Sequence, residues 1–217
     1  QTCALPICLP RGDGEGLRVD LARSQSRGSV GEPGGGRWRR RENGVDIDAT
    51  EALVVVRHPG RIAANLNLDG GNIWGPTHDV TYVGYGKSSL DRIFEAAAAW
   101  QGRTVRGDQF PDRGYFYRSD QFNFAKIGVP AIYIDKSTEF VDRPPGWGKQ
   151  QIEAWEEIHY HQPSDELLDD WDFAGLVEDA RLMFAAGVLI AGQEGLPSWQ
   201  PGDEFEAARH AALEAPE

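Results

Sequence analysis

Polar and apolar residues alternate along Ile62-Ala63-Ala64-Asn65-Leu66-Asn67-Leu68 and stop at Asp69-Gly70-Gly71, the pattern of a strand running into a turn. A second strand is predicted within Asp79 to Tyr85, centred on Val80-Thr81-Tyr82-Val83. Ser88 or Ser89 then opens a helix whose Ala-rich body reaches Trp100, hydroxyl side chains being favoured at the N-cap. Ser119-Asp120 caps a shorter helix through Phe124 and Lys126, ended by Gly128. Val129 to Ile134 is a third strand, with Pro130 near its start, where a missing N–H is tolerated. Asp172 to Ala191 is a long amphipathic helix. Strands alternating with helices predict an α/β, three-layer sandwich around a mostly parallel sheet.

The stretch from Arg11 to Gly44 is different in kind. It is rich in Gly, Arg and Ser and sustains neither a period of 2 nor one of 3.6. Gln1 to Ile7 resembles translated adapter sequence. Two units are therefore expected: residues 1–57, either foreign to the fold or disordered, and residues 58–217, the folded part.

A chain of 217 residues, 40% hydrophobic, can bury a sizeable core as one domain. The formal net charge of -12 argues against a nucleic-acid partner, which needs clustered Lys and Arg to displace counterions. The most apolar run, Ala180 to Ala191, is too short to span a bilayer and carries Arg181. Cys3 and Cys8 are the two cysteines, so a metal site in the folded part rests on His and carboxylates. No leader with a charged start and an apolar core is visible.

Three segments carry candidate chemistry: Asn67-Leu68-Asp69-Gly70-Gly71, Tyr117-Arg118-Ser119-Asp120-Gln121, and Tyr160-His161-Gln162-Pro163-Ser164-Asp165. Ligands in open α/β sheets bind outside the carboxyl ends of the strands, where Asp69 stands. The same Asp also suits a turn former that satisfies the Gly70-Gly71 backbone. His161 has Asp165 four residues on, the type of partner that fixes a ligand's tautomer, although Ser164 or Asp165 would equally cap a helix. His159 is a rival ligand, and His58, His78 and His210 read as solvent-facing.

In order along the chain, N-L-D-G-G-N-I-W-G, G-K-S-S-L-D, Y-R-S-D-Q-F-N-F-A-K-I-G-V-P-A, G-W-G and Y-H-Q-P-S-D-E resemble metallopeptidase family 28, the zinc aminopeptidases and carboxypeptidases related to aminopeptidase Y. The resemblance runs from about His58 to the C-terminus and implies the C-terminal portion of a catalytic domain that acts on peptides. It implies zinc, two ions roughly 4 Å apart, with Asp69 a ligand of one and His161 of the other. It also implies an oxyanion contact from Tyr117 or its neighbour Tyr115, and a secreted or periplasmic location. Gln121 stands where the family commonly has a His that is not a ligand.

The bridging Asp, second His and Glu-Glu pair of the family are not found upstream; Glu42 in Glu42-Asn43-Gly44 is either a remnant ligand or a polar residue of an unrelated segment. The chain by itself is accordingly expected to be inactive, and, since the resemblance implies early strands that are missing here, to leave a sheet edge open or an apolar face exposed. Two alternatives stay open: a non-catalytic binding or dimerisation relative of the same fold, and a single-zinc acyltransferase like glutaminyl cyclase.

Overall fold

A computed structural model describes residues 58–215 in full, together with the backbones of three strands, Cys3–Cys8 (β1), Arg39–Glu42 (β2) and Val45–Asp48 (β3). The central sheet adds Ile62–Leu68 (β4), Asp79–Val83 (β5), Thr104–Arg106 (β6) and Ala131–Asp135 (β7), in the order β1-β4-β7-β5-β6. Of the three pairings among β4, β7, β5 and β6, two are parallel, β4 with β7 and β5 with β6. β5 runs antiparallel to β7. The link from β4 to β5, residues 69–78, is shorter than the dozen or so residues a parallel crossover needs, so the chain returns in the opposite direction.

β1 pairs antiparallel with β4, on the edge predicted to be open. β2 and β3 form a separate two-stranded sheet. The rest of residues 1–57, and with it the expected boundary at residue 57, lies outside the described residues.

Among the described residues five α-helices are interspersed with and follow the strands: α1 (Leu90–Trp100), α2 (Gln121–Lys126), α3 (Trp147–Ile158), α4 (Ala174–Ala191) and α5 (Glu206–Glu214). Successive strand residues point to opposite faces, so the sheet is covered on both sides. On one face Leu66, Val80, Tyr82, Ile132 and Ile134 pack with Leu90, Phe94 and Ala97 of α1 and Leu182, Ala186 and Ile190 of α4. On the other, Val83 and Tyr133 pack with Phe116, Ala125, Ile152 of α3, Trp199 and Phe205. The result is the three-layer sandwich that the strand and helix alternation predicts. Among the described residues, no helix is long and apolar enough to cross a membrane.

The helix starts follow local chemistry. Ser88 Oγ accepts the amide of Leu90 at 3.3 Å, and Asp172 Oδ1 accepts that of Ala174 at 2.9 Å, so α4 begins two residues later than the periodicity predicts. At the start of α1, Asp91 accepts the Gly86 amide at 3.1 Å, yet burial, with Glu95 adding to it, pushes its carboxyl up to about 6. A carboxyl raised in the folded state binds protons more tightly there than in the unfolded chain. Its contribution to stability is therefore lost as pH rises from about 4 to about 6. Asp91→Asn keeps an acceptor for Gly86 and removes the charge. Allowing for the half-exposed position, it is expected to gain about 1 kcal/mol at pH 7.5 and little at pH 4, as read by urea denaturation at both values.

Candidate functional site

β4 and β7 lie in parallel register, Leu68 opposite Ile134. One further step sets Asp69 level with Asp135, two carboxylates at the carboxyl ends of adjacent strands. Gly70, at φ 85°, turns the chain away at once. There is room for a Cβ, with Asp135 Oδ1 and Lys136 Nζ each at an ordinary contact distance of 3.8 Å, so it is the positive φ that favours glycine here.

These strand ends open into a cleft of about 350 Å³. Its carboxylates are Asp69, Asp120, Asp135 and Glu156, its cations Lys136 and Arg118, and its rings Tyr115, Tyr133, Tyr160 and His161. Lys136 bridges two of the acids, 3.5 Å from Asp135 Oδ1 and 3.6 Å from Glu156 Oε1. Glu156 also pairs with Arg113 and accepts from the Tyr115 hydroxyl at 3.0 Å. Asp69 keeps less compensation. Burial raises its carboxyl above the usual range, the charges of Asp135 and Asp120 raise it further, and Lys136 offsets part of this.

A buried polar network fixes the loops around the cleft. Asp79, at the start of β5, accepts the Glu139 amide at 2.9 Å and both the amide and hydroxyl of Thr138 at 3.2 Å. Asn72 Oδ1 accepts the Ser137 amide at 3.2 Å, while its Nδ2 donates to Asp179 of α4 at 3.3 Å. Asn67, two residues before Asp69, donates to Gln121 Oε1 at 2.9 Å, and Gln121 Nε2 donates to the Phe116 carbonyl at 2.8 Å. Gln121 is fully buried. It braces β4 against the turn that carries Arg118-Ser119-Asp120.

His161 belongs to a turn closed by the Gln162 amide on the His159 carbonyl at 2.9 Å, and stands at φ 59°, uncommon for a residue with a side chain. Its ring stacks on Tyr160 at 3.9 Å. His159 lies outside the cleft lining. Its ring stacks on Trp155 at 4.2 Å, and its Nδ1 sits 2.8 Å from the Ser164 carbonyl. Asp165 is exposed and joins the turn through its amide, which donates to Gln162; the described contacts include none between its carboxylate and His161.

Asp69 and His161 are thus brought to one cleft from 92 residues apart. Tyr117 is not brought there: it is 51% exposed, and its hydroxyl donates to Glu204 at 2.7 Å. The neighbour left open beside it, Tyr115, does line the cleft. His58 caps a short turn by accepting the Gly60 amide, while His78 and His210 are exposed. The side chain of Glu42 lies outside the described residues.

Asp135, Lys136 and Glu156 are cleft residues that the sequence reasoning did not single out. For Asp135 the signal was present, since it ends the apolar strand Ala131–Asp135 just as Asp69 follows β4. A carboxylate and an imidazole are the donor types zinc takes, and Asp69 and His161 supply one of each. Among the described residues, however, no group of three or more His, Cys, Asp or Glu side chains is placed to hold a metal ion.

The family model of peptidase family M28 matches residues 51–185, a span that contains Asp69, the Tyr117 to Gln121 motif and His161. No curated protein and no solved structure matches the chain.

Proposed function

Because the chain belongs to peptidase family M28, a family of zinc-dependent peptidases, we propose that it carries part of the active site of an exopeptidase, an enzyme that hydrolyses terminal peptide bonds, with Asp69 and His161 each contributing a zinc ligand. The observation that carries this reading is the meeting of Asp69 and His161 in one cleft. A strand-end Asp and a loop His with unrelated roles would rarely converge. When bound, zinc supplies a polarised carbonyl and a water acidic enough to attack at neutral pH, with a pair of ions shared across the site.

The chain's own residues prepare the cleft for a peptide. Asp69, raised by burial and by neighbouring carboxylates, is a site where a cation is favoured. The Lys136 and Arg113 contacts neutralise Glu156 and Asp135. That leaves Asp120, exposed at the rim, free to meet a substrate's amino group. Tyr115 holds its hydroxyl on Glu156, at the wall of the cleft.

Zinc titration of the full chain by calorimetry, with bound metal counted by elemental analysis, tests the proposal. The expected result is weak binding by the natural sequence, lost in Asp69→Ala and in His161→Ala, each by at least about tenfold. Variants that bind as the parent does would sink the assignment. Stoichiometry divides the alternatives: two ions fit the exopeptidase, one fits a cyclase-like acyltransferase, and none fits a binding module. Since the general-base glutamate is not found upstream of Asp69, turnover of aminoacyl anilides by this chain is expected to be absent even where zinc binds.

A further inference from the structure

We propose that His159 is a positioning residue for His161, the buckle of a clasp that holds the Tyr160-His161 turn at the cleft; the inference rests on the reading of His161 as a zinc ligand. His161 sits in left-handed backbone at φ 59°. A side chain persists there only where its surroundings over-determine it. Those surroundings contain little of the apolar core: His161 is exposed, and the residue it stacks on, Tyr160, is itself 38% exposed. From residue 159 to the start of α4 at Ala174 there is no helix or strand to carry the turn. Another device must fix it.

Two reciprocal side-chain bonds close the loop at its base. A carbonyl only accepts, so His159 Nδ1 carries the proton and donates to the Ser164 carbonyl, 2.8 Å away. The Ser164 hydroxyl donates back to the carbonyl of Ile158, the last residue of α3, at 3.0 Å. Between these bonds the Gln162 amide meets the His159 carbonyl at 2.9 Å, and the Asp165 amide meets Gln162 at 3.0 Å. The clasp is anchored inward as well. The His159 ring lies on Trp155 with planes 28° apart, and Trp155 meets Trp74 and Trp171 edge-on at 6.2 and 5.5 Å. The His nearest to His161 in sequence is thus spent on orienting it: one ring face is on Trp155 and one nitrogen is on the backbone across the turn.

Three substitutions in the full chain separate this role from a merely structural one. His159→Phe keeps a ring on Trp155 but removes the donor. His159→Asn restores a donor near the Nδ1 position, and Ser164→Ala removes the return bond. The readouts are zinc affinity by calorimetry, amide hydrogen exchange at Gln162 and Asp165 in the metal-free chain, and thermal unfolding. His159→Phe is expected to weaken zinc binding about tenfold and to speed exchange at both amides, with the unfolding temperature unchanged. His159→Asn is expected to recover most of both effects, and Ser164→Ala to fall between. The proposal is overturned if His159→Phe matches the parent in exchange and zinc affinity, or if His159→Asn is as impaired as His159→Phe. Should the parent chain bind no zinc at all, the metal reading of the cleft fails, while the exchange comparison still decides whether His159 holds the turn.

Discussion

Asp179→Ala is expected to lower the unfolding free energy by about 3 to 5 kcal/mol, because it leaves a buried guanidinium without its anion. Asp179 is 1% exposed on α4, and its Oδ1 lies 2.8 Å from Nη1 of the equally sequestered Arg103. Arg103 cannot turn outward to recover water. Its Nε and Nη2 both donate to the Asp79 carbonyl, at 3.0 and 2.7 Å, and Nη2 also donates to Thr77 Oγ1 at 2.9 Å. Asp179 is held from its other side by Asn72, which in turn accepts the Ser137 amide. Loss of the carboxylate therefore loosens two loops that flank the cleft, residues 69–77 and 135–139. Burial holds the Asp179 carboxyl above its usual range, and Arg103 is the cation that pulls it back down. Urea denaturation measures the cost. The decisive comparison is the double variant Asp179→Leu with Arg103→Met. Removing both charges is expected to restore a large part of what Asp179→Ala loses. A double variant as unstable as the single one would mean that the cost lies in packing and not in the orphaned charge.

The cleft was legible in the sequence to the extent that a strand end was legible. Asp69 is marked by the alternation of Ile62 to Leu68 and by the two glycines after it, and Gly128 by its place behind a short helix. Asp135 has the same signature but no glycine punctuation, and it gains its meaning only from the parallel register that sets it beside Asp69. α3 was hidden because few of its residues face the core: Gly148 and Ile152 are its buried ones, and the Glu156 that reaches the cleft sits in a run of charges that reads as a solvated surface. Tyr115 and Tyr117 could not be ranked from spacing. The short 3-10 turn that holds both sends residues two apart in different directions, Tyr115 to Glu156 and Tyr117 to Glu204. The strand β5 was legible, but its antiparallel direction was not, because strand patterns carry no direction. Direction follows from the length of the 69–78 link.

Gly128→Ala is expected to cost about 3 kcal/mol, although it adds one methyl group at a site the sequence marks only as a helix stop. Gly128 has φ 86°, backbone that an L side chain adopts at a penalty of about 1 kcal/mol. Space is the larger problem. A Cβ at this position would lie 2.5 Å from the Ala208 carbonyl carbon and 2.6 Å from its oxygen, and it would also strike the Arg209 amide. These are backbone atoms of α5 and cannot rotate away, so the helix itself has to shift. α5 has little freedom to do so. Its Arg209 is 1% exposed and anchors the helix by donating to the carbonyls of Ile62 at 2.9 Å, Pro197 at 3.2 Å and Pro59 at 3.4 Å. Burial lowers the guanidinium to about 10, the mark of a cation held without a carboxylate. The Gly128 carbonyl, meanwhile, accepts from the Trp199 indole at 3.0 Å. Displacing α5 therefore costs strain, the Arg209 anchor and the Trp199 bond together. The consequence should be local at first. Hydrogen exchange in Gly128→Ala is expected to rise most in residues 199–214, ahead of β4 and β7, with the urea midpoint lowered. If Gly128→Ala unfolds at the parent's midpoint, α5 is not locked against this turn and its docking through Arg209 has to be reconsidered.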